Sequence, residues 1–190
     1  MPVLDLPLFP LHSVLFPGGV LRLRVFEPRY LDLVRRCTRE QSCFGVCLLL
    51  DDAAPAAWGT RARIHDFFAT DEGMLGIAAT GEGRFRVTRT RVRDNGLIVA
   101  AVELHDEPPA EPLRAEHCLL AQLLERLHER IGGVHARAGK SCYDDAAWVG
   151  YRLAEVLPFT IRERQSLLQS GDAHDRLARI ARLLPRFQRE

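Results

Sequence analysis

The spacing of apolar residues changes period once along the chain. Up to about residue 108 it favours strands. In VLRLRVF (20–26), Leu21, Leu23 and Val25 lie on one side and Arg22 and Arg24 on the other, the alternation of a half-buried strand. FGVCLLL (44–50) is apolar throughout and predicts a strand covered on both faces. ARIHDFFAT, MLGIAATGEGRFRV and GLIVAAVELHD predict three more, with Asn95-Gly96 as the turn between the last two. One helix interrupts them. Pro28 suits a first helical position, and Tyr30, Leu31, Val34 and Cys37 follow at helical spacing to about residue 39. Before all of this, LPLFPLHSVLFPGG (6–19) sets apolar residues among prolines 7, 10 and 17. That punctuation predicts neither a long helix nor an uninterrupted strand; the Leu and Phe side chains are expected to pack in the core while the chain turns corners.

DEPPAEPL (106–113) ends the strands in a stiff connector, and the period then becomes helical. Leu113, Leu120, Leu123, Leu124, Leu127 and Ile131 form one predicted stripe, stopped by Gly132-Gly133. A second helix is predicted over about 144–157, with Trp148, Tyr151 and Val156 inward. Thr160 and Glu163 have capping-box spacing for a third, ending near Gly171. Asp172 caps a last helix carrying Leu177, Ile180, Leu183 and Leu184. The expected architecture is α+β: a β-rich unit over 1–108, closed as a small barrel with one helix, then a C-terminal helical bundle over 109–190. Closure is favoured because it removes exposed sheet edges.

Composition narrows the function classes. With 190 residues, 47% of them hydrophobic, the chain can bury a real core. A formal net charge of +1, near balance in each half, gives no global argument for nucleic acid or membrane. The five cysteines (37, 43, 47, 118 and 142) show no C-x-x-C, which fits reduced thiols in a cytoplasmic protein. Asp5 and the lack of a basic leader argue against a signal peptide, and the apolar runs are far too short for a membrane span.

LPLFPLHSVLFPGG followed by FEPRY resembles the start of the Lon protease amino-terminal, or substrate-binding, domain. The likeness continues in order through FGVCLLL, GTRARIHDF, GMLGIAATGEGRFRV and the tail LAEVLPFTIRERQSLLQSGDAHDRLARIARLL. The resemblance implies a PUA-like six-stranded pseudo-barrel followed by helices, and a role in recognising substrate proteins. Full-length Lon adds an ATPase and a Ser-Lys peptidase. Here no G-x-x-x-x-G-K-[ST] occurs, and the one lysine, Lys140 in RAGKSCYDD, lacks the glycine a phosphate loop needs. A free-standing, non-enzymatic member is therefore expected, with no cofactor and no catalytic residue.

The remaining chemical candidates are weak. Cys43 and Cys47, on one strand face, would stand roughly 13 Å apart, too far to share a metal. His117 and His128 share a helix face about 16 Å apart and are expected on the surface. No metal site is predicted. RFRVTRTRVRD (84–94) holds five arginines, whose parity slips near Thr88 and suggests a bulge. Arg89, Arg91 and Arg93 form the basic surface of an alternative function, RNA or small-ligand binding through the Arg84–Arg93 strand. Without interleaved aromatics a solvated strand face is favoured, and nucleic acid is not the expected partner. In FEPRY, Glu27 is expected to meet the positive end of the helix, and Arg29 to fork onto a carboxylate or strand carbonyls. The glycines of GEGRF are assigned to tight turns.

Apolar residues outside the clear periodic positions are the better binding candidates. Trp58 lies in the turn-rich APAAWGT. Phe67 and Phe68 are adjacent, so a strand turns one away from the core. Met74 follows TDEG at a hairpin tip. Together these four are the predicted exposed patch, with unfolded or apolar polypeptide segments as partners and a protease or chaperone system as the setting. No membrane partner is predicted.

Overall fold

The computed structural model describes residues 3–50 and 54–188. The chain divides into two compact units, Met1–Glu107 and Pro108–Glu190. The first holds β1 (Val3–Leu11), β2 (Val20–Val25), α1 (Pro28–Glu40), β3 (Phe44–Leu49), β4 (Pro55–Ala69), β5 (Leu75–Val92) and β6 (Ile98–His105). The six strands form one mixed sheet in the order β2-β5-β4-β3-β1-β6, and β5 also pairs with β6, so the sheet closes on itself. β1 and β3 run parallel; the other pairs are antiparallel.

β1 corrects the expectation that prolines exclude a strand at the start of the chain. It contains both Pro7 and Pro10. Residues 3–7 are in register with β6 and residues 8–11 with β3. Each proline therefore has one strand neighbour in register, and its missing donor is tolerated on the side without one. As expected, Leu6, Leu8, Phe9, Leu15 and Phe16 are buried. Phe9 stacks on Tyr30 of α1 with ring centroids 4.0 Å apart, in one cluster with Leu33, Val34, Phe44 and Ile77. A second cluster gathers Leu6, Leu8, Cys47, Phe85, Ala100 and Val102.

The segment after β1 is pinned by main-chain bonds: Gly18 N donates to Gly81 O and Gly81 N to Gly19 O, each at 2.8 Å. Gly81 is thus not a turn residue but lies inside β5, where a Cβ would collide with the carbonyl of Phe16. The slip in arginine parity corresponds to a bulge. The β5–β6 register shifts between Val87 and Arg89, and Thr88 Oγ1 donates to Ala101 O at 2.8 Å. Glu27 stands at the N-cap of α1 without a side-chain cap bond. It pairs instead with Arg29 at 2.8 Å, while Arg29 Nη1 donates to Gly96 O in the β5–β6 turn.

The second unit contains α2 (Cys118–Ile131), α3 (Lys140–Tyr143), α4 (Ala146–Val156), α5 (Ile161–Gln169) and α6 (Ala173–Leu183). Thr160 and Glu163 form the predicted capping box, and Asp172 Oδ1 accepts from Asp175 N at 2.7 Å. The buried face of α2 is Leu120, Ala121, Leu124 and His128, with His117 one turn earlier. His117 and His128 are therefore interior, not surface, residues, and Ile131 is exposed. The stripe is rotated from the one the leucines suggested, because histidines complete its i, i+3, i+4 pattern.

Among the described residues, Arg152 and Arg176 are fully enclosed. Arg176 donates to Leu167 O, Ser170 O and Tyr151 Oη at 3.1, 2.7 and 3.0 Å, satisfying carbonyls at the end of α5. Arg152 lies 3.1 Å from Glu155 and 2.8 Å from His135 Nε2.

Candidate functional site

β4 outruns β3. Their register runs from Pro55 opposite Leu49 to Ala62 opposite Phe44, whereas β4 continues against β5 as far as Ala69. Among the described residues, β4 beyond Ala62 is therefore paired on one side. The β4–β5 register also shifts between Ile64 and Asp66. One extra residue there exchanges the faces of everything that follows.

That shift decides the fates of the adjacent phenylalanines. Phe67 pairs with Ile77, a core residue, and so shares the core-side face of the sheet. Yet it lies past the packed region and is 47% exposed. Phe68 points to the opposite face, where Arg22 and Arg24 stand. It is half-buried over Gly76, its partner in register, with the Arg22 guanidinium 4.0 Å from its ring centroid. The residue on the outer face is thus the covered one.

Phe67 borders a groove of about 390 Å³ between β4 and the end of α1, lined by Cys37, Thr38, Gln41, Ser42, Arg63 and Ile64. Arg63 braces it, donating to Gln41 O at 2.7 Å and to Glu82 Oε1 at 2.5 Å. Phe68 borders a separate hollow with Arg22, Leu23, Arg24 and the β4–β5 turn.

The other two candidates are set apart. Met74 is half-buried at the hairpin tip, where its N–H donates to Thr70 Oγ1 at 3.0 Å. Trp58 does not lie in a turn. It is a half-buried residue of β4 opposite Arg86, 4.5 Å from the His105 ring and under Arg84 at 5.9 Å. At about 3.3 Å per residue it stands roughly 30 Å along the strand from Phe67. Phe26, 65% exposed, was not singled out from sequence; it follows Val25, which pairs with Leu75 next to Met74. Its parity with Arg22 and Arg24 was the available signal.

Of the arginine run, Arg84 is buried and bridges to Glu107 at 2.7 Å. Arg86, Arg89, Arg91 and Arg93 are exposed, and Arg91 pairs with Asp5.

The thiols of Cys43 and Cys47 are not poised as nucleophiles. Burial pushes Cys47 up to about 12, and burial with a hydrogen bond to Glu82 pushes Cys43 up to about 11. Both are protonated at neutral pH. Cys43 also precedes β3 rather than lying within it. Among the described residues no three His, Cys, Asp or Glu side chains gather to hold a metal, and no helix is long and apolar enough to cross a membrane.

The model of the ATP-dependent protease La (LON) substrate-binding domain matches residues 5–186. The chain belongs to this family. A Lon N-terminal domain protein from Xanthomonas campestris is 50% identical, with a TM-score of 0.82, covering 95% of this Lon-domain chain and 98% of that one. The N-terminal domain of the Mycobacterium avium complex Lon protease shares the fold at 16% identity, with a TM-score of 0.65 over 93% of this chain and 95% of that one. Lon protease 2 of Myxococcus xanthus is 27% identical over 95% of the chain, and protein cereblon of Danio rerio 31% identical over 66%. The chain spans only 23% and 30% of those two relatives' own lengths. The Lon domain is a non-catalytic part of the protease, and the 190 residues contain neither an ATPase phosphate loop nor the peptidase domain.

Proposed function

We propose that this Lon-domain chain binds apolar or unfolded segments of other polypeptides, and that the groove beside Phe67 is where they dock. The observation that carries the proposal is a large apolar side chain, 47% exposed, beside a groove of about 390 Å³, on a strand whose edge beyond Ala62 is unpaired among the described residues. An exposed phenylalanine loses water contact when covered by an apolar partner, and the Arg63 guanidinium at the groove is already engaged by Gln41 O and Glu82. Membership of a substrate-binding family supports the same reading. Of the predicted residues Trp58, Phe67, Phe68 and Met74, Phe67 is the principal contact and Phe26 an additional one. We also read the closed sheet as the PUA-like pseudo-barrel, the later helices as a bundle, and the cytoplasm as the setting, with a protease or chaperone system receiving the bound chain.

Binding of fluorescein-labelled casein, followed by anisotropy, tests this. The wild type is expected to bind in the micromolar range and Phe67→Asp at least about tenfold more weakly, as expected for the loss of one central apolar contact. Equal binding by the two proteins, or none by either, contradicts the proposal.

A further inference from the structure

The unpaired edge of β4 carries a detail that specifies how a polypeptide would be held. From Ile64 to Ala69 the strand keeps β5 on one side. On the other, β3 has ended and the turn at Gln41 and Ser42 leads away into α1, leaving the groove. An edge of this kind presents unpaired main-chain groups. At its centre the N–H of Phe67 donates to the carboxylate of Asp66, its neighbour in sequence, at 2.8 Å. One N–H makes one near-linear hydrogen bond, so this donor is turned away from the β5 ladder. Asp66 and Phe67 are both exposed.

We infer that Asp66 is a placeholder for a strand: an extended apolar segment of a second polypeptide adds to β4 along the line β3 vacates, and its backbone carbonyl takes the Phe67 N–H from Asp66. This rests on the polypeptide-binding function proposed above and adds its mode. Six edge residues span roughly 20 Å, the length of an ordinary strand of five or six residues. Arg63 is engaged by Glu82 and by Gln41 O, so an anionic partner finds no waiting cation at the groove. What remains for recognition is main-chain hydrogen bonding together with apolar contact at Ile64 and Phe67. Such recognition is tolerant of sequence, because every polypeptide supplies the same carbonyls.

The probe is a fluorescein-labelled eight-residue peptide of alternating valine and threonine, with two analogues N-methylated on odd or on even amides. A strand turns alternate amides to its partner, so one analogue is expected to lose at least about tenfold in affinity and the other to bind nearly as the parent. Asp66→Ala is expected to bind the parent about threefold to tenfold tighter, the worth of one main-chain hydrogen bond no longer contested. If both analogues bind like the parent and Asp66→Ala matches wild type, while Phe67→Asp still weakens binding, strand addition is overturned and polypeptide binding stands. If casein binds and the parent peptide does not, strand addition is likewise overturned. Should neither bind, the underlying function falls with it.

Discussion

Phe68 lies over Gly76, its partner on β5, with the Arg22 guanidinium 4.0 Å above the ring. A Cβ at Gly76 would occupy the space of the ring itself. The glycine therefore lets one of two adjacent phenylalanines be covered on the outer face of the sheet, while the other stays available.

Gly76→Ala is accordingly expected to displace Phe68 and cost about 1–3 kcal/mol, the usual penalty of overpacking. The melting temperature reads it. Phe67→Asp, at an exposed position, is expected to stay within about 0.5 kcal/mol of wild type. Equal stability of the two variants would contradict the division of roles between the two rings.

Arg176 ties three helices through Leu167 O, Ser170 O and Tyr151 Oη. Replacing it by methionine keeps much of the volume but removes these three hydrogen bonds, and about 2–4 kcal/mol of stability should be lost. Thr160→Ala removes only the α5 cap and should cost about 1 kcal/mol. Urea unfolding followed by Trp148 fluorescence in a Trp58→Phe background reports on this unit alone.

The same fluorescence should reveal opposed pH effects. Burial, aided by the Arg152 charge and by His128, lowers His135 from 6.5 to about 4. Between those values the unfolded chain binds more protons, so stability falls as pH drops from about 6.5 towards 4. Glu155 moves the other way: burial raises it from 4.5 to about 7 against the pull of Arg152 and Arg164. Its ionisation makes stability fall as pH rises from about 4.5 through 7. His135→Asn should flatten the acid limb, and Glu155→Gln should raise stability at neutral and higher pH. A Glu155→Gln protein with an unchanged urea midpoint at pH 8 would contradict the assignment.

Arg89 and Arg91 test the alternative function. Arg91 is paired with Asp5, and among the described contacts no aromatic ring lies over Arg89, Arg91 or Arg93. The double variant Arg89→Glu, Arg91→Glu is expected to bind casein as wild type does. Salt-dependent RNA binding by wild type that the double variant loses would favour the other reading.

Much of the fold was legible because it is written in local period. β2, α1, β3 and the caps at Thr160 and Asp172 follow from alternation, helical spacing and side-chain oxygens placed to meet backbone donors. The bulge at Thr88 showed itself because arginines marked the phase. At His65 no such marker exists, so the exchange of Phe67 and Phe68 between faces stayed hidden. β1 was missed because the tolerance of Pro7 and Pro10 depends on which strand stands beside each, a long-range property. His117 and His128 complete the apolar stripe of α2 by position, whereas their polarity alone points outward. The pairing of Phe67 with an open strand edge needs the relative lengths of β3 and β4, which only the register supplies.

Hydrogen–deuterium exchange with and without bound casein tests the central claim most directly, because it locates the contact without presuming it. Protection confined to residues 63–69 of β4 and 37–42 at the end of α1 is the expected result. Protection of the arginine run at 86–93 or of the helical unit, with the β4 edge unchanged, would contradict the account.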